Sequence, residues 1–330
     1  GLYWELKAPV ADDLTVTAGA RIDLVTSDAD GRHRTVAPDG TIPKIVALDD
    51  TPPNFFVEKN SYEEILGEFN RSDVLLAGFI AADYRLTEDL QLRVGFGHGE
   101  RAPNATERYG YLPFVTVVQT PGNAPAGDPN LRPEKSNQFD LALIGDYDDV
   151  RFQVSGFASI IHDYISFAKY PFPGASLFPN IFHYANTDAT LAGGEASGEI
   201  DLTENWSPFF NLSYVNGRDQ IRHEPLPSIY PFQSRLGLRW HDPSRKQYGV
   251  ELSARMVAAQ NHVSTRLDEP RTPGFTTFDL RGYWQFNEHL KLNGGVENLT
   301  NRNYLEPLSV HDPAVFEPGT NFFLGVQLDY

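Results

Sequence analysis

Apolar and polar side chains alternate strictly along several stretches of this chain. In the last ten residues, Phe322, Leu324 and Val326 fall on one side of the alternation. Gln327 and Asp329 fall on the other side. Because successive side chains of a β-strand point to opposite faces, this pattern predicts strands with one face in an apolar medium and the other in a wetter one.

The pattern recurs often enough to predict about 13 strands, most of them longer than the about 5–6 residues that are usual in globular sheets. The predicted strands cover residues 1–8, 14–25, 74–86, 90–101, 136–147, 150–165, 184–202, 207–216, 233–240, 248–260, 275–286, 290–304 and 321–330. We therefore expect an all-β, antiparallel protein.

Short turns and long loops alternate between these predicted strands. Aromatic side chains cluster beside the short turns, namely Tyr147, Trp206, Trp240, Tyr248, Trp284, Phe286 and Tyr330. In a transmembrane β-barrel of an outer membrane, short turns face the periplasm, long loops face outside, and aromatic girdles flank the apolar band. The sequence therefore favours such a barrel over a globular β-protein with aromatic residues at its edges.

The composition narrows the functions that remain open. The chain has 330 residues, no cysteine and a formal net charge of −17. The lack of cysteine excludes disulfides, thiolate catalysis and Cys-based zinc sites. The acidic balance argues against a nucleic-acid partner, because phosphates would be repelled. No run of about 18 apolar residues occurs, so the sequence predicts no transmembrane helix.

Three motifs carry a resemblance to a known family. Residues 97–109 read Gly-His-Gly-Glu-Arg-Ala-Pro-Asn-Ala-Thr-Glu-Arg-Tyr, and residues 127–136 read Gly-Asp-Pro-Asn-Leu-Arg-Pro-Glu-Lys-Ser. Residues 296–304 read Val-Glu-Asn-Leu-Thr-Asn-Arg-Asn-Tyr. In this order the motifs resemble the signature of TonB-dependent outer-membrane receptors, and the resemblance covers essentially the whole chain. One departure is Asp128, which stands where Asn is commoner in the family.

The resemblance implies a fold and a location. Residues 1–330 would be the C-terminal portion of a receptor barrel of about 22 strands, with the N-terminal plug domain outside this chain. The protein would lie in the cell outer membrane of a Gram-negative bacterium and would be a transporter, not an enzyme. Its partners would be the TonB complex through the missing N-terminal part, membrane lipid and lipopolysaccharide, and the barrel-assembly machinery through the strand ending at Tyr330.

The resemblance also implies uptake of a scarce, large solute without a resident cofactor. A ferric siderophore or another metal chelate is the expected ligand, with cobalamin, copper or zinc, and glycans as alternatives. A passive porin-type channel is the alternative to an active receptor, since the strands of porins also alternate apolar and polar side chains and porins also carry long loops.

The wetter face of the alternation supplies the side chains expected to line the lumen. We expect it to hold water and to dock a polar plug through ion pairs and hydrogen bonds. The charged members that we single out are Arg93, Asp140, Arg151, Glu195, Arg239, Arg255, Arg281 and Glu297.

Ligand contacts are expected in the second long loop, just after a strand that rises to the outer side. The candidates are Arg101, Glu107, Arg108, Tyr109, Tyr111 and Phe114. Aromatic rings and arginine suit planar or anionic chelates through stacking and bidentate hydrogen bonds. The alternative is that the motif folds the loop. In that case Glu134, at the start of the next strand, would pair with a lumen arginine such as Arg101.

Catalytic and metal-binding patterns are weak. The sequence contains neither a Gly-x-Ser-x-Gly elbow nor a His-Glu-x-x-His helix motif. Its histidines do not stand at ligand spacing, so we expect solvated loop histidines and no metal site. Residues 61–64 read Ser-Tyr-Glu-Glu, a capping box that predicts a short helix in the first long loop.

Overall fold

A computed structural model describes residues 1–28, 41–42, 57–58, 70–109, 115–117, 120–169, 181–245, 247–309 and 314–329. The strands are β1 (Leu2–Ala11), β2 (Leu14–Ser27), β3 (Thr41–Ile42), β4 (Val57–Glu58), β5 (Arg71–Arg85), β6 (Leu90–Arg101), β7 (Val115–Val117), β8 (Thr120–Ala126), β9 (Glu134–Asp146), β10 (Val150–Lys169), β11 (Ile181–Ile200), β12 (Trp206–Asp219), β13 (Glu224–Pro225), β14 (Gln233–His241), β15 (Tyr248–Val257), β16 (Phe275–Asn287), β17 (Leu290–Glu297) and β18 (Asn321–Leu328). One short helix, α1, spans Ala105–Tyr109 within the described residues.

One large sheet dominates the described part of the chain. Thirteen strands follow one another in it in the order β1-β2-β5-β6-β9-β10-β11-β12-β14-β15-β16-β17-β18, and each pairs antiparallel with its neighbours. The number of strands and the all-β, antiparallel class agree with the prediction from alternation. No helix in the described ranges is both long and apolar enough to cross a membrane.

The connections alternate in length as predicted. Short turns join the strands at one end of the sheet, at 12–13, 86–89, 147–149, 201–205, 242–247 and 288–289. Long connections lie at the other end, at 28–70, 102–133, 170–180, 220–232, 258–274 and 298–320. These two ends are called the turn end and the loop end below.

The sheet has an apolar face and a polar face. Leu238, Leu252 and Leu280 lie opposite one another across three strands and are 39%, 50% and 39% exposed. One residue away along each strand, Arg239 faces Glu251 across the ladder, and Glu251 faces Arg281. The register places all eight charged residues expected to line the lumen on this polar face, namely Arg93, Asp140, Arg151, Glu195, Arg239, Arg255, Arg281 and Glu297.

The predicted aromatic girdle is present at the turn end. Trp206 pairs with Trp240 across the ladder, and the rings of Trp240 and Tyr248 are 5.3 Å apart. Trp284 stacks on Phe286 at 4.3 Å between ring centroids and is 55% exposed. Large exposed rings in register at one level of a sheet are typical of a membrane–water interface. The last predicted member, Tyr330, lies outside the described residues.

Glycines on the polar face make room for aromatic rings from the next strand. A Cβ at Gly249 would lie 2.5 Å from the ring of Tyr283, its partner across the ladder. Gly237 is covered by Phe209 in the same way, and the guanidinium of Arg239 stands 4.1 Å above that ring. A ring laid over a cross-strand glycine restores the packing that the missing side chain would leave open.

Two predictions need correction. The strand expected over 290–304 ends at Glu297, because Asn298 adopts a positive φ of 51° and its side chain accepts a hydrogen bond from the Arg302 amide at 2.7 Å. The sequence predicts a loop after Arg101, but this segment contains the helix α1 and the short strands β7 and β8. The helix predicted after the capping box at 61–64 lies outside the described residues.

Candidate functional site

A short helix anchors the motif loop at the loop end of the sheet. The amide of Asn104 donates to Glu107 Oε2 at 2.7 Å, and the Glu107 amide donates to Asn104 Oδ1 at 2.9 Å. This reciprocal arrangement is a capping box, which satisfies the free amides at the start of α1. The Glu107 carboxylate also accepts hydrogen bonds from both terminal nitrogens of Arg101, at 2.9 and 3.1 Å. The helix is thereby tied to the end of β6.

The pairing expected between Glu134 and Arg101 is confirmed. Arg101 Nε donates to Glu134 Oε2 at 2.7 Å, and the other oxygen of Glu134 accepts the Ile165 amide at 2.6 Å. One arginine therefore links β6, α1 and β9, and the carboxylate links these to β10. Charge-assisted, forked hydrogen bonds of this kind fix orientation as well as supplying energy.

Arg108 is buried beneath the helix. Its side chain is 1% exposed, and its guanidinium donates to Asp73 Oδ2 at 2.7 Å and to Ser27 Oγ at 2.8 Å. It also lies 3.4 Å from the Leu131 carbonyl oxygen. The neighbouring Tyr109 hydroxyl lies 3.0 Å from Ser27 Oγ. A buried charge needs such partners, because desolvation without them is costly.

The second motif packs on the first. Arg71 Nε donates to the Pro129 carbonyl at 2.9 Å, and its Nη2 donates to Asn130 Oδ1. The Asp128 amide donates to the Glu107 carbonyl at 2.9 Å, while Leu131 is 4% exposed. We call residues 101–109 and 127–134, with Ser27, Arg71 and Asp73, the loop platform. Both motifs are parts of one folded unit.

In the structure, the described candidates for ligand contact are engaged in contacts within the protein. It brings Arg101, Glu107, Arg108 and Tyr109 together, but their polar groups are directed at one another and at neighbouring loops. Arg108 is 1% exposed and lies beneath the other candidates, and its contact with a ligand stays a prediction. Tyr111 and Phe114 lie outside the described residues, and their contact with a ligand stays a prediction.

A network of charges occupies the polar face near the turn end. Arg151 Nη2 lies 2.9 Å from Glu199 Oε1 and 3.0 Å from Asp201 Oδ2. Arg239 contacts Glu199 and lies 2.9 Å from Glu251 Oε2. Arg245 contacts both Glu199, at 3.2 Å, and Asp201. We call these six residues the wall cluster. Each carboxylate in the wall cluster contacts at least two arginines, and Asp201 also accepts a hydrogen bond from Ser207.

The cavity beside the wall cluster is locally cationic. A concavity of about 530–560 Å³ opens at each of two neighbouring positions on the polar face. Five cationic and two carboxylate side chains line the one nearer the turn end: Arg235, Arg239, Arg245, Arg281, Lys291, Glu199 and Glu251. This is a positive region within a chain of net charge −17. It is suited to an anionic group.

Sequence reasoning missed a second assembly at the loop end. The Tyr230 hydroxyl donates to Glu306 Oε2 at 2.5 Å, and Arg255 donates to both groups, at 2.8 Å to Tyr230 and 2.5 Å to Glu306 Oε1. Phe275 packs against Tyr304 at 4.3 Å between ring centroids. The polar partners are separated by 25 to 76 positions in the sequence, so no local spacing signals the assembly.

The pKa values of two carboxyl groups outside the strands are shifted in opposite directions. Burial raises the pKa of Glu269, although the Ser264 and Ser228 amides, each 2.7 Å from its oxygens, oppose that effect. Burial also pushes the pKa of Asp201 upward, but hydrogen bonds from Ser207, Arg245 and Arg151 outweigh it and lower the pKa to about 2. Among the described residues, no group of three His, Asp or Glu side chains is arranged to hold a metal ion.

Comparison with known proteins identifies the fold. Residues 1–299 match the family model described as TonB dependent receptor-like, beta-barrel. Over 259 residues the chain is 25% identical to hemoglobin-haptoglobin utilization protein B of Neisseria meningitidis serogroup C, a match that covers 67% of this chain and 31% of that protein.

Solved structures of two other proteins superpose on this chain. The copper transporter OprC superposes with a TM-score of 0.77 at 23% identity, over 99% of this chain and 46% of that one. The ferric enterobactin receptor PfeA of Pseudomonas aeruginosa superposes with a TM-score of 0.63 at 15% identity, over 99% and 53%. This chain thus spans about half the length of these structures. These two structures are of a transporter and a receptor. The family match over residues 1–299 shows that the chain belongs to the TonB-dependent receptor family as a portion of its β-barrel.

Proposed function

We propose that this chain forms the C-terminal part of an outer-membrane receptor barrel that takes up a ferric siderophore or a similar anionic metal chelate with energy supplied through TonB. The observation that carries the proposal is the family match over residues 1–299. The polar face lines the lumen in this arrangement, and the apolar face contacts lipid. The loop end faces outside, and the turn end faces the periplasm.

The rest of the receptor lies outside this chain in the proposal. The chain covers 46% of the copper transporter and 53% of the ferric enterobactin receptor that it resembles. An N-terminal plug and further strands would complete a barrel of about 22 strands. The plug would carry the contact with the TonB complex. The strand before Tyr330 would engage the barrel-assembly machinery.

The composition and charge favour an anionic chelate over a bare soft metal ion. A pathway for Cu(I) uses thiolate and thioether ligands. This chain has no cysteine and one methionine. The cationic concavity beside the wall cluster suits negative charge, and this local attraction works against the net charge of the chain. Arg101, Tyr109, Tyr111 and Phe114 remain the proposed outer contacts, and Arg108 supports them from below.

A second candidate is a receptor for iron held by a host protein. It is favoured by the similarity to a hemoglobin-haptoglobin utilization protein at 25% identity. Such a ligand would make contact through the long loops and would leave only the released iron compound to enter the lumen.

The test is growth of a strain that lacks the full-length gene on single, defined iron sources. We expect loss of growth on one or more ferric siderophores, with growth on hemoglobin and copper tolerance unchanged, and the same loss when TonB is removed. Loss on hemoglobin alone would favour the second candidate. Normal growth on every iron source would contradict both, and uptake that does not require TonB would support a passive channel.

Binding by the motif loop is tested separately in the full-length protein. Replacing Tyr111 and Phe114 together with alanine should weaken binding of the identified chelate at least about tenfold if two stacked rings are lost. The yield of folded protein should stay unchanged. Unaltered affinity would remove this loop from the ligand site without affecting the assignment to the family.

A further inference from the structure

The assembly of Tyr230, Arg255 and Glu306 has the geometry of an occupied carboxylate site. Arg255 Nη1 donates to Glu306 Oε1 at 2.5 Å, and its Nη2 lies 3.2 Å from Glu306 Oε2. The Tyr230 hydroxyl donates to Oε2 at 2.5 Å and accepts from Arg255 Nη2 at 2.8 Å. A guanidinium fork that meets both oxygens is the arrangement by which arginine recognises a carboxylate. We call Arg255 and Tyr230 together the Arg255 site.

The arginine and the carboxylate belong to different parts of the molecule. Arg255 lies on β15, on the polar face of the sheet. Its guanidinium carbon stands 5.3 Å from the centroid of the Phe275 ring on the next strand, which holds the side chain without neutralising its charge. Glu306 belongs to the long connection at 298–320 and is 51 positions away in the sequence. The sheet therefore holds the arginine, and the loop supplies the carboxylate.

The Arg255 site opens on a concavity of the polar face. Arg255 is 31% exposed and also lines the concavity nearer the loop end, which has a volume of about 530 Å³. Ligand sites commonly have volumes of about 300–1,000 Å³. Uncharged hydrogen-bonding side chains in register across β10, β11, β12 and β14 form most of its wall: Gln153, Ser155, Ser197, Asn211, Ser213 and Gln233. Glu195 is the one carboxylate among the described lining residues, and Arg255 lies three strands away from it.

The contact between Arg255 and Glu306 can be exchanged. Burial pushes the pKa of Glu306 upward, but hydrogen bonds from Arg255 and Tyr230 outweigh burial and hold this pKa below its usual range. The carboxylate is therefore charged at neutral pH. Glu306 is 22% exposed, so both partners keep contact with water. Because a partly hydrated ion pair contributes little to stability, a second carboxylate that enters the concavity can replace Glu306 at low cost.

We propose that the Arg255 site binds a free carboxylate of the transported chelate and that Glu306 occupies the site as an internal competitor until the chelate arrives. The solute class is a ferric complex of hydroxycarboxylates. One of its carboxylates replaces Glu306 on Arg255 and Tyr230, and its remaining oxygens accept hydrogen bonds from the amide and hydroxyl side chains of the concavity. A ferric catecholate carries no free carboxylate for this site. The inference rests on the proposed function and names the solute class.

Competition and anchoring predict effects of opposite sign. A competitor keeps the site open for only a fraction of the time, and the apparent affinity falls by that fraction. Removing the charge of Glu306 then strengthens chelate binding. If Glu306 instead anchored a loop that helps to bind the chelate, the same change would weaken binding.

The experiment titrates the purified full-length protein, in detergent micelles, with ferric citrate. Ferric enterobactin, a catecholate complex without a free carboxylate, is the comparison ligand, and isothermal titration calorimetry measures both. Glu306→Gln should lower the dissociation constant of ferric citrate at least about threefold. Arg255→Gln should raise it at least about tenfold, since a charged hydrogen-bonded contact is lost. Neither change should alter the titration with ferric enterobactin.

The matched control is Glu317→Gln. It removes the same charge from the same connection, but the Glu317 carboxylate accepts a hydrogen bond from Ser309 at 3.0 Å and does not contact Arg255. We expect the affinity for ferric citrate to stay at the wild-type value. Heat-modifiable gel mobility reports whether each variant is folded. The two glutamate variants decide the competition even where Arg255→Gln does not fold.

Three results would overturn the inference. Unchanged or weaker binding of ferric citrate by Glu306→Gln would show that Glu306 is an anchor and not a competitor. An equal gain in Glu317→Gln would mean that the charge of the loop acts without the Arg255 site. Absence of ferric citrate binding in both wild type and Glu306→Gln would exclude this solute class. The proposed function fails separately, by normal growth of the deletion strain on every iron source.

Discussion

The loop platform and the wall cluster use the same residue types for different purposes. In the loop platform, Arg108 is 1% exposed, and its charge meets one carboxylate, a serine hydroxyl and a carbonyl. In the wall cluster, Arg239 is 40% exposed and Arg151 and Arg245 are each 37% exposed, and carboxylates are shared among them. The contacts of Arg108 are buried and specific, and those of the wall cluster are wet and redundant.

The difference shows what each region can do. Removing one member of a buried ion pair leaves an uncompensated charge, which costs about 3–5 kcal/mol. Pairs that keep contact with water contribute about 0–1 kcal/mol each. The contacts of Arg108 therefore fix the loop platform to the loop end of the sheet. The wall cluster can exchange partners at low cost.

The largest expected effect comes from breaking the loop platform. Arg108→Ala leaves the Asp73 carboxylate, 14% exposed, without its buried partner and opens a void under α1. We expect the segment 102–134 to lose about 3–5 kcal/mol of local stability. Hydrogen exchange of the amides in α1 and around Leu131 measures this, with the barrel strands as internal reference.

The matched control is Arg132→Ala. Arg132 lies in the same loop and pairs with Asp163 at 2.5 Å, but its side chain is 70% exposed. We expect a loss below about 1 kcal/mol. Equal exchange in the two variants would mean that burial does not distinguish these arginines, and the comparison of the two regions would fail.

The comparison also assumes that the polar face is wet and the apolar face is not. Ile80, near the middle of β5, is 53% exposed and pairs with Ala18 and Phe96. Ile80→Arg should destabilise the barrel in lipid vesicles by about 2–4 kcal/mol, because an arginine at the bilayer midplane is poorly solvated. The neighbouring Ala81→Arg points to the polar face and should cost less. Urea unfolding of both variants in vesicles measures the difference, and equal losses would show that the faces are wrongly assigned.

Most of the sheet was predictable because its physical signal is local. Alternation defines the two faces of each strand, and the length of each connection assigns it to an end. The alternation already fails at the end of β17, because a continued strand would place Asn298, Thr300 and Arg302 on the apolar face. The strand stops where Asn298 turns to a positive φ and binds Arg302. A side chain that bonds its own backbone competes with the ladder.

The candidate site was predictable in part. Asn104 and Glu107 stand at the spacing of a capping box, so the pattern that predicts a helix at residues 61–64 also predicts helix α1. The burial of Arg108 could not, because it depends on Ser27 and Asp73, which are 81 and 35 positions away. The triad of Tyr230, Arg255 and Glu306 has the same origin in long-range contacts.

A pair of carboxylates gives a finer test. Glu199 and Asp73 are similarly buried, at 18% and 14% exposure. Glu199 contacts three arginines that remain partly solvated, whereas Asp73 pairs with the buried Arg108. Glu199→Gln should therefore lower the free energy of unfolding by less than about 1 kcal/mol. Asp73→Asn should cost several times more. The same urea unfolding measures both, and a larger loss for Glu199→Gln would reverse the ranking of the two regions.

The smallest expected effect is a pH dependence that arises at the turn end. The pKa of Asp201 is lowered from 3.8 to about 2 in the folded protein. A carboxyl with a depressed folded-state pKa stabilises the protein above its unfolded-state value and loses that contribution as the pH falls towards the folded-state value. The free energy of unfolding should therefore decline between about pH 4 and pH 2.

Asp201→Asn should flatten this part of the profile, since Asn does not titrate. Glu288→Gln, at another turn of the same end, should leave it unchanged. A profile that is equally steep in wild type and Asp201→Asn would show that Ser207, Arg245 and Arg151 do not hold this carboxylate in its charged form.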